Sequence, residues 1–173
     1  MMTVHTGATA TDSPRPSTDS PQVLYQEGLV AGILAAAAVA VWFLIVDSLA
    51  GRPFYTPSVL GTALFGRGAD LDKVTVSLST VAMFTWVHCL IFAALGGVAA
   101  RLLAVAERNP SLGFGVVLFF VILQSGFTTA VAFVAPTIFS VLGWASILVA
   151  NLLAAGTMVA YFRLRHPRLV VRP

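Results

Sequence analysis

The chain has 173 residues, 58% of them apolar and 10% charged, with a mean hydropathy of +0.90 and a formal net charge of +3. A water-soluble domain carries about 25% charged residues, so this balance excludes water as the solvent for most of the chain. Apart from the C-terminal tail the basic residues are scattered, which argues against a nucleic-acid surface, and a single cysteine, Cys89, excludes an intrachain disulfide.

Residues Met1–Gln26 are rich in Thr, Ser, Pro, Ala and Asp. Such a segment buries too little apolar surface to offset its ordering entropy, so a disordered tail is expected over 1–27. Ser48-Leu49-Ala50 resembles a small-x-small cleavage site. The apolar run before it is longer than the 7–15 residues of a signal-peptide h-region and lacks a basic flank, which favours an uncleaved anchor.

Four runs reach the ~20 apolar residues that a helix needs to span a bilayer: Leu29–Leu49, Val76–Ala100, Leu112–Ala135 and Ile138–Phe162. The expected fold is all-α, an integral membrane four-helix bundle over 28–162. A short interfacial helix in the first extracytoplasmic loop and a basic tail over 163–173 complete it.

The first run places Gly28, Gly32, Ala36 and Ala40 four apart, so they form one ridge. Small-residue ridges let helix backbones approach closely in lipid. The expected partner is a helix of the same chain, with a homodimer seam as the alternative. Asp47, near the end of the run, is costly there unless it reaches headgroups or a partner. Arg52 lies just across Gly51, so an interfacial Asp47–Arg52 pair is the first reading and a cation or proton site the second.

Thr56-Pro57 suits a helix start, with Thr as cap and Pro at the first helical position. Val59, Leu60, Ala63, Leu64 and Phe65 then supply an apolar face and Gly66 a stop, which predicts a short surface helix over Pro57–Phe65. Phe54 and Tyr55 suit the interfacial aromatic belt.

The second run holds Trp86, His88 and Cys89, then Gly96-Gly97, with Arg101 at its end. The third holds Gln124, and the very short link Ala135-Pro136-Thr137 predicts an antiparallel third and fourth pair. The fourth carries Ser146, Ala150 and Ala154 as another small ridge, with Asn151 beside it. Seven of the ten basic residues fall on the side shared by both termini and the middle loop, which predicts cytoplasmic termini and a cell inner (plasma) membrane location. The four tail arginines, Arg163, Arg165, Arg168 and Arg172, are candidate contacts for anionic lipid.

At 1.5 Å per residue, His88 and Gln124 lie roughly 20 and 18 Å from the cytoplasmic side. Asn151 falls at a similar depth, so the three form a candidate polar layer at mid-membrane. Polar groups there need partners, which favours an interhelical clamp over a transport, ligand or cofactor site. No second histidine lies in any run, so bis-His haem ligation within the chain is not expected. Adjacent His88 and Cys89 point about 100° apart on a helix, which disfavours zinc. No cofactor or metal is expected.

The stretch Asp47-Ser48-Leu49-Ala50-Gly51-Arg52-Pro53-Phe54-Tyr55-Thr56-Pro57, with His88 in the following span, resembles a pattern in small bacterial four-helix integral membrane proteins of uncharacterised activity. There an apolar helix ends in Asp and is followed by Gly-Arg-Pro and Thr-Pro. The resemblance covers about the first hundred residues and implies architecture alone.

There is no nucleophile–base pair, histidine cluster or glycine-rich phosphate loop, so the chain does not read as an enzyme. A structural or accessory subunit or scaffold of a membrane assembly is expected, with the lipid bilayer, other membrane subunits or a homo-oligomer as partners and no nucleic acid. The alternative is a small oligomeric transporter or channel using the polar layer.

Overall fold

The computed structural model describes residues 21–66, 70–108 and 142–165, with the single positions 125, 129 and 138. Every regular element among them is helical: α1 (Pro21–Leu49), α2 (Tyr55–Phe65), a 3-10 turn (Leu71–Lys73), α3 (Leu78–Arg108) and α4 (Trp144–Arg165). Three helices, over Gln22–Leu49, Leu78–Ala106 and Trp144–Arg165, are long and apolar enough to cross a membrane. Their outer faces are bare of protein among the described residues; Trp86 and Trp144 are each 69% exposed. In water so much uncovered apolar surface would drive association. Against hydrocarbon it costs nothing, which points to a membrane-embedded protein.

Several boundaries differ from the sequence expectation. α1 begins at Pro21, inside the segment expected to be a disordered tail. Proline at a first helical position loses no useful donor, and Tyr25 and Glu27 of the added turns find partners on α3 and α4. α3 runs through Arg101 to Arg108 instead of stopping near Ala100. The fourth expected run is interrupted: Ile138 and Leu142 are helical, Gly143 adopts a left-handed φ of 74°, and the helix that follows begins at Trp144. Of the run Leu112–Ala135 only positions 125 and 129 are described, both of them helical; the link 135–137 and residues 1–20 lie outside the described residues. With 29 and 31 residues, α1 and α3 extend about 44 and 46 Å, longer than a hydrocarbon core of about 30 Å, so their ends reach headgroup depth.

α1 is the hub. It packs antiparallel to α3: Gly28 meets Gly96 and Gly97, Gly32 meets Phe92 and Ala93, and Ala36 meets His88. As the numbers rise by four on α1 they fall by four on α3, so two ridges lie against each other. A Cβ on Gly28 would stand 2.7 Å from the Gly96 carbonyl oxygen and 2.8 Å from Gly97 Cα. Only hydrogen fits there. The ridge expected to include Ala40 ends at Ala36; Ala40 is exposed.

A second face of α1 packs antiparallel to α4. Ala35 and Val39 cluster with Ala150 and Ala154, and Ala31 clusters with Ala100 and Phe162, where all three long helices meet. The core is thus mostly alanine and glycine. In lipid, where burial against another helix gains little over burial in acyl chains, close backbone approach and dispersion hold helices together.

Candidate functional site

Polar groups of the described spans gather at three levels along α1. At its Leu49 end, Gly51 turns the chain with φ 70° and Phe54 takes a left-handed φ of 65°. Phe54 stands at the cap position of α2 but offers no side-chain acceptor. Asp47 takes over that role from the preceding helix. Its Oδ2 accepts the Thr56 backbone N–H at 2.7 Å and its Oδ1 accepts the Thr56 hydroxyl at 2.7 Å. A carboxylate satisfies the free amides of a helix start and lies favourably against its dipole. This is how Asp47, only 4% exposed, tolerates its burial.

The expected Asp47–Arg52 side-chain pair is therefore corrected. Arg52 N–H donates to the Asp47 backbone carbonyl at 2.8 Å, but its guanidinium stacks over the Tyr55 ring, 3.9 Å from the centroid. The turn aims Arg52 outward while the carboxylate is already committed to Thr56. Thr56 is correspondingly a capped residue, not the cap.

α2 divides its expected apolar face between protein and the exterior. Its buried residues are Thr56, Ser58, Val59 and Gly61, while Leu64 and Phe65 are exposed. A Cβ on Gly61 would lie 2.6 Å from Thr80 Cγ2 of α3, so glycine permits the contact. The small face meets protein and the larger apolar residues face away. Around this turn, Arg52, Phe54 and Tyr55 face Lys73, Val74 and Val76 across an open hollow of about 710 Å³. Lys73 also pairs with Asp70 at 3.2 Å.

At mid-helix, His88 Nε2 donates to the Ala36 carbonyl of α1 at 3.3 Å. The ring lies between Phe84 and Phe92, with centroids 5.6 and 4.6 Å away. Asn151 is half-buried on α4, and Gln124 lies outside the described residues. Of the candidate polar layer, His88 is thus placed at a helix seam through a backbone carbonyl. No group of three or more His, Cys, Asp or Glu that could hold a metal ion occurs among the described residues.

At the Pro21 end, two ties missed from sequence hold α1. Arg101 donates to the Tyr25 hydroxyl, and Arg165 pairs with Glu27 at 3.2 Å. Glu27 is 7% exposed. A Tyr–Arg or Glu–Arg pair so distant in the chain leaves no local spacing signal. Of the tail arginines, Arg163 and Arg165 close the last turn of α4; Arg168 and Arg172 lie outside the described residues.

No protein-family model, curated protein or solved structure matches the chain significantly.

Proposed function

We propose that the chain is a four-span protein of the bacterial inner membrane, with both termini cytoplasmic, that serves as a structural or accessory subunit of a larger membrane assembly. The four-span topology draws support from helix direction. α3 and α4 both run antiparallel to α1, so the end of α3 and the start of α4 lie at opposite ends of the bundle. A further crossing, by the run Leu112–Ala135, reconciles them. Arg101, Arg163 and Arg165 share the Pro21 end, while Arg52 and Lys73 occupy the other, in keeping with the positive-inside bias. α2, with Leu64 and Phe65 outward, suits the outer interface.

The observation that carries the accessory role is the outer turn. Asp47 fixes it to α2, and the fixed turn presents an arginine stacked on an aromatic ring beside a second cation and Phe54. Arginine and aromatic residues on a rigid frame are the usual anchors of protein interfaces. Asp47 and His88, the ionisable residues on which a transport reading would draw, instead make bonds that hold helices in place. The test is mild-detergent purification of the full chain from native membranes, wild type against Arg52→Ala with Phe54→Ala. A stoichiometric membrane partner present with the wild type and lost from the variant, at equal abundance of the chain, is the expected result. The same bare species in both would defeat the reading.

A further inference from the structure

The seam between α1 and α3 is asymmetric along its edge. Gly96 faces the α1 backbone and admits no side chain. Gly97, one residue on, meets nothing within 4 Å where its Cβ would be. Packing among the described residues therefore explains one glycine and not the other. Gly97 instead floors an open hollow of about 480 Å³, lined by Tyr25, Leu29, Ala93, Val98 and Arg101 as well. The hollow is apolar along its length and cationic at one mouth, where the Arg101 guanidinium bonds the Tyr25 hydroxyl. α4 approaches α3 elsewhere, where Phe162 shares a cluster with Ala31 and Ala100.

We propose that this seam holds one anionic phospholipid, its headgroup phosphate on Arg101 and an acyl chain along Leu29, Ala93 and Gly97. The proposal rests on membrane embedding and not on the accessory role. Charge chooses the occupant. Arg101 has no carboxylate partner among the described residues, and residues 109–143 contain no Asp or Glu. The chain's own apolar run therefore brings no counter-charge to this mouth. A second copy inserted in the same direction brings Arg101, Arg163 and Arg165 against their equivalents. An anionic lipid supplies both the negative head and the thin apolar body. Basic pockets between spanning helices hold such headgroups for this reason, and arginine matches phosphate through paired donors.

The experiment uses the full chain in mild detergent, with phosphatidylglycerol and phosphatidylcholine added in turn, read by native mass spectrometry and thermal unfolding. The wild type is expected to retain one phosphatidylglycerol and to gain thermal stability from it, with little response to phosphatidylcholine. Arg101→Gln weakens phosphatidylglycerol binding about tenfold and removes the preference. Gly97→Leu abolishes retention while its lipid-free unfolding midpoint stays at or above that of wild type, because open space receives the side chain and leucine favours helix. Lys73→Gln, at the opposite end of the bundle and outside the hollow, retains the lipid. Three results overturn the proposal. Equal retention in wild type, Arg101→Gln and Gly97→Leu means headgroups gather without a site. A smaller oligomer in Gly97→Leu means a second copy fills the seam. A steep loss of lipid-free stability in Gly97→Leu means the chain's own Leu112–Ala135 run fills it.

Discussion

The two seams of α1 solve one problem in different ways. Against α3, glycines bring backbone onto backbone, and the fit is steric: Gly28, Gly32 and Gly96 leave no volume for a methyl group. Against α4, alanines and Val39 meet without such tightness. Register there is set by polar ties near the two ends, Trp42 Nε1–H to the Ser146 carbonyl at 3.1 Å and Glu27 to Arg165 at 3.2 Å. Apolar burial cannot specify a partner in lipid, because acyl chains are as apolar as leucine. Shape can, and so can a hydrogen bond whose alternative is an unsatisfied group.

The sharpest way to break the comparison is Gly96→Leu. Its Cβ meets backbone atoms of Gly28 and Gly32, which cannot swing aside as a side chain would. Overpacking of a core costs about 1–3 kcal/mol even where side chains move. Here the loss is expected to exceed that range and remove folded protein from the membrane, as measured by abundance and detergent unfolding. Gly97→Ala, one residue away, should leave both measures unchanged or raise stability by up to about 1 kcal/mol through helix propensity. Equal damage from the two substitutions would erase the steric distinction.

A smaller effect is expected at the outer turn. Asp47→Ala removes the cap of α2 and should cost about 0.5–2 kcal/mol. Hydrogen exchange should accelerate in the first turn of α2 while amides of the α1–α3 seam keep their protection. Uniform acceleration across both would mean that the turn and the seam are one cooperative unit.

The smallest effect belongs to the α4 seam. A double-mutant cycle with Glu27→Gln and Arg165→Gln should yield a coupling of about 0.5–1 kcal/mol that declines with added salt, since the arginine side chain is 57% exposed. Zero coupling at low salt would leave the Trp42–Ser146 hydrogen bond and the alanine contacts to fix that register.

Much of this architecture was readable in the residues. Long apolar runs marked the spans, and the four-residue spacing of Gly28, Gly32 and Ala36 marked a contact ridge. Ser146, Ala150 and Ala154 did the same for α4. Asp47 stood out because a carboxylate at a span end demands a partner. Its partner was misassigned to Arg52 because sequence proximity favours opposite charges, whereas the folded turn offers a helix start in need of an acceptor. Composition also hid the beginning of α1. Tyr25 and Glu27 look like tail residues until Arg101 and Arg165 are brought beside them. Nor does an apolar run reveal that Gly143 takes a left-handed φ just before the last described helix. The apolar pattern of α2 did not reveal that Val59, with Thr56, Ser58 and Gly61, faces protein while Leu64 and Phe65 stay exposed.

The placement of α4 against α1 has a consequence for the order of synthesis. α1, α2 and α3 follow one another closely, so their contacts can close as soon as Arg108 has left the translocation machinery. The other face of α1 must wait for the last described helix. Until Trp144–Arg165 is made, Ala35 and Val39 lack their contacts with Ala150 and Ala154, and Glu27 lacks its pairing with Arg165. In chain order, every residue of the α1–α3 seam thus precedes the residues that complete the α1–α4 seam. During that interval a quality-control protease or an assembly factor has a surface to read that the finished bundle conceals.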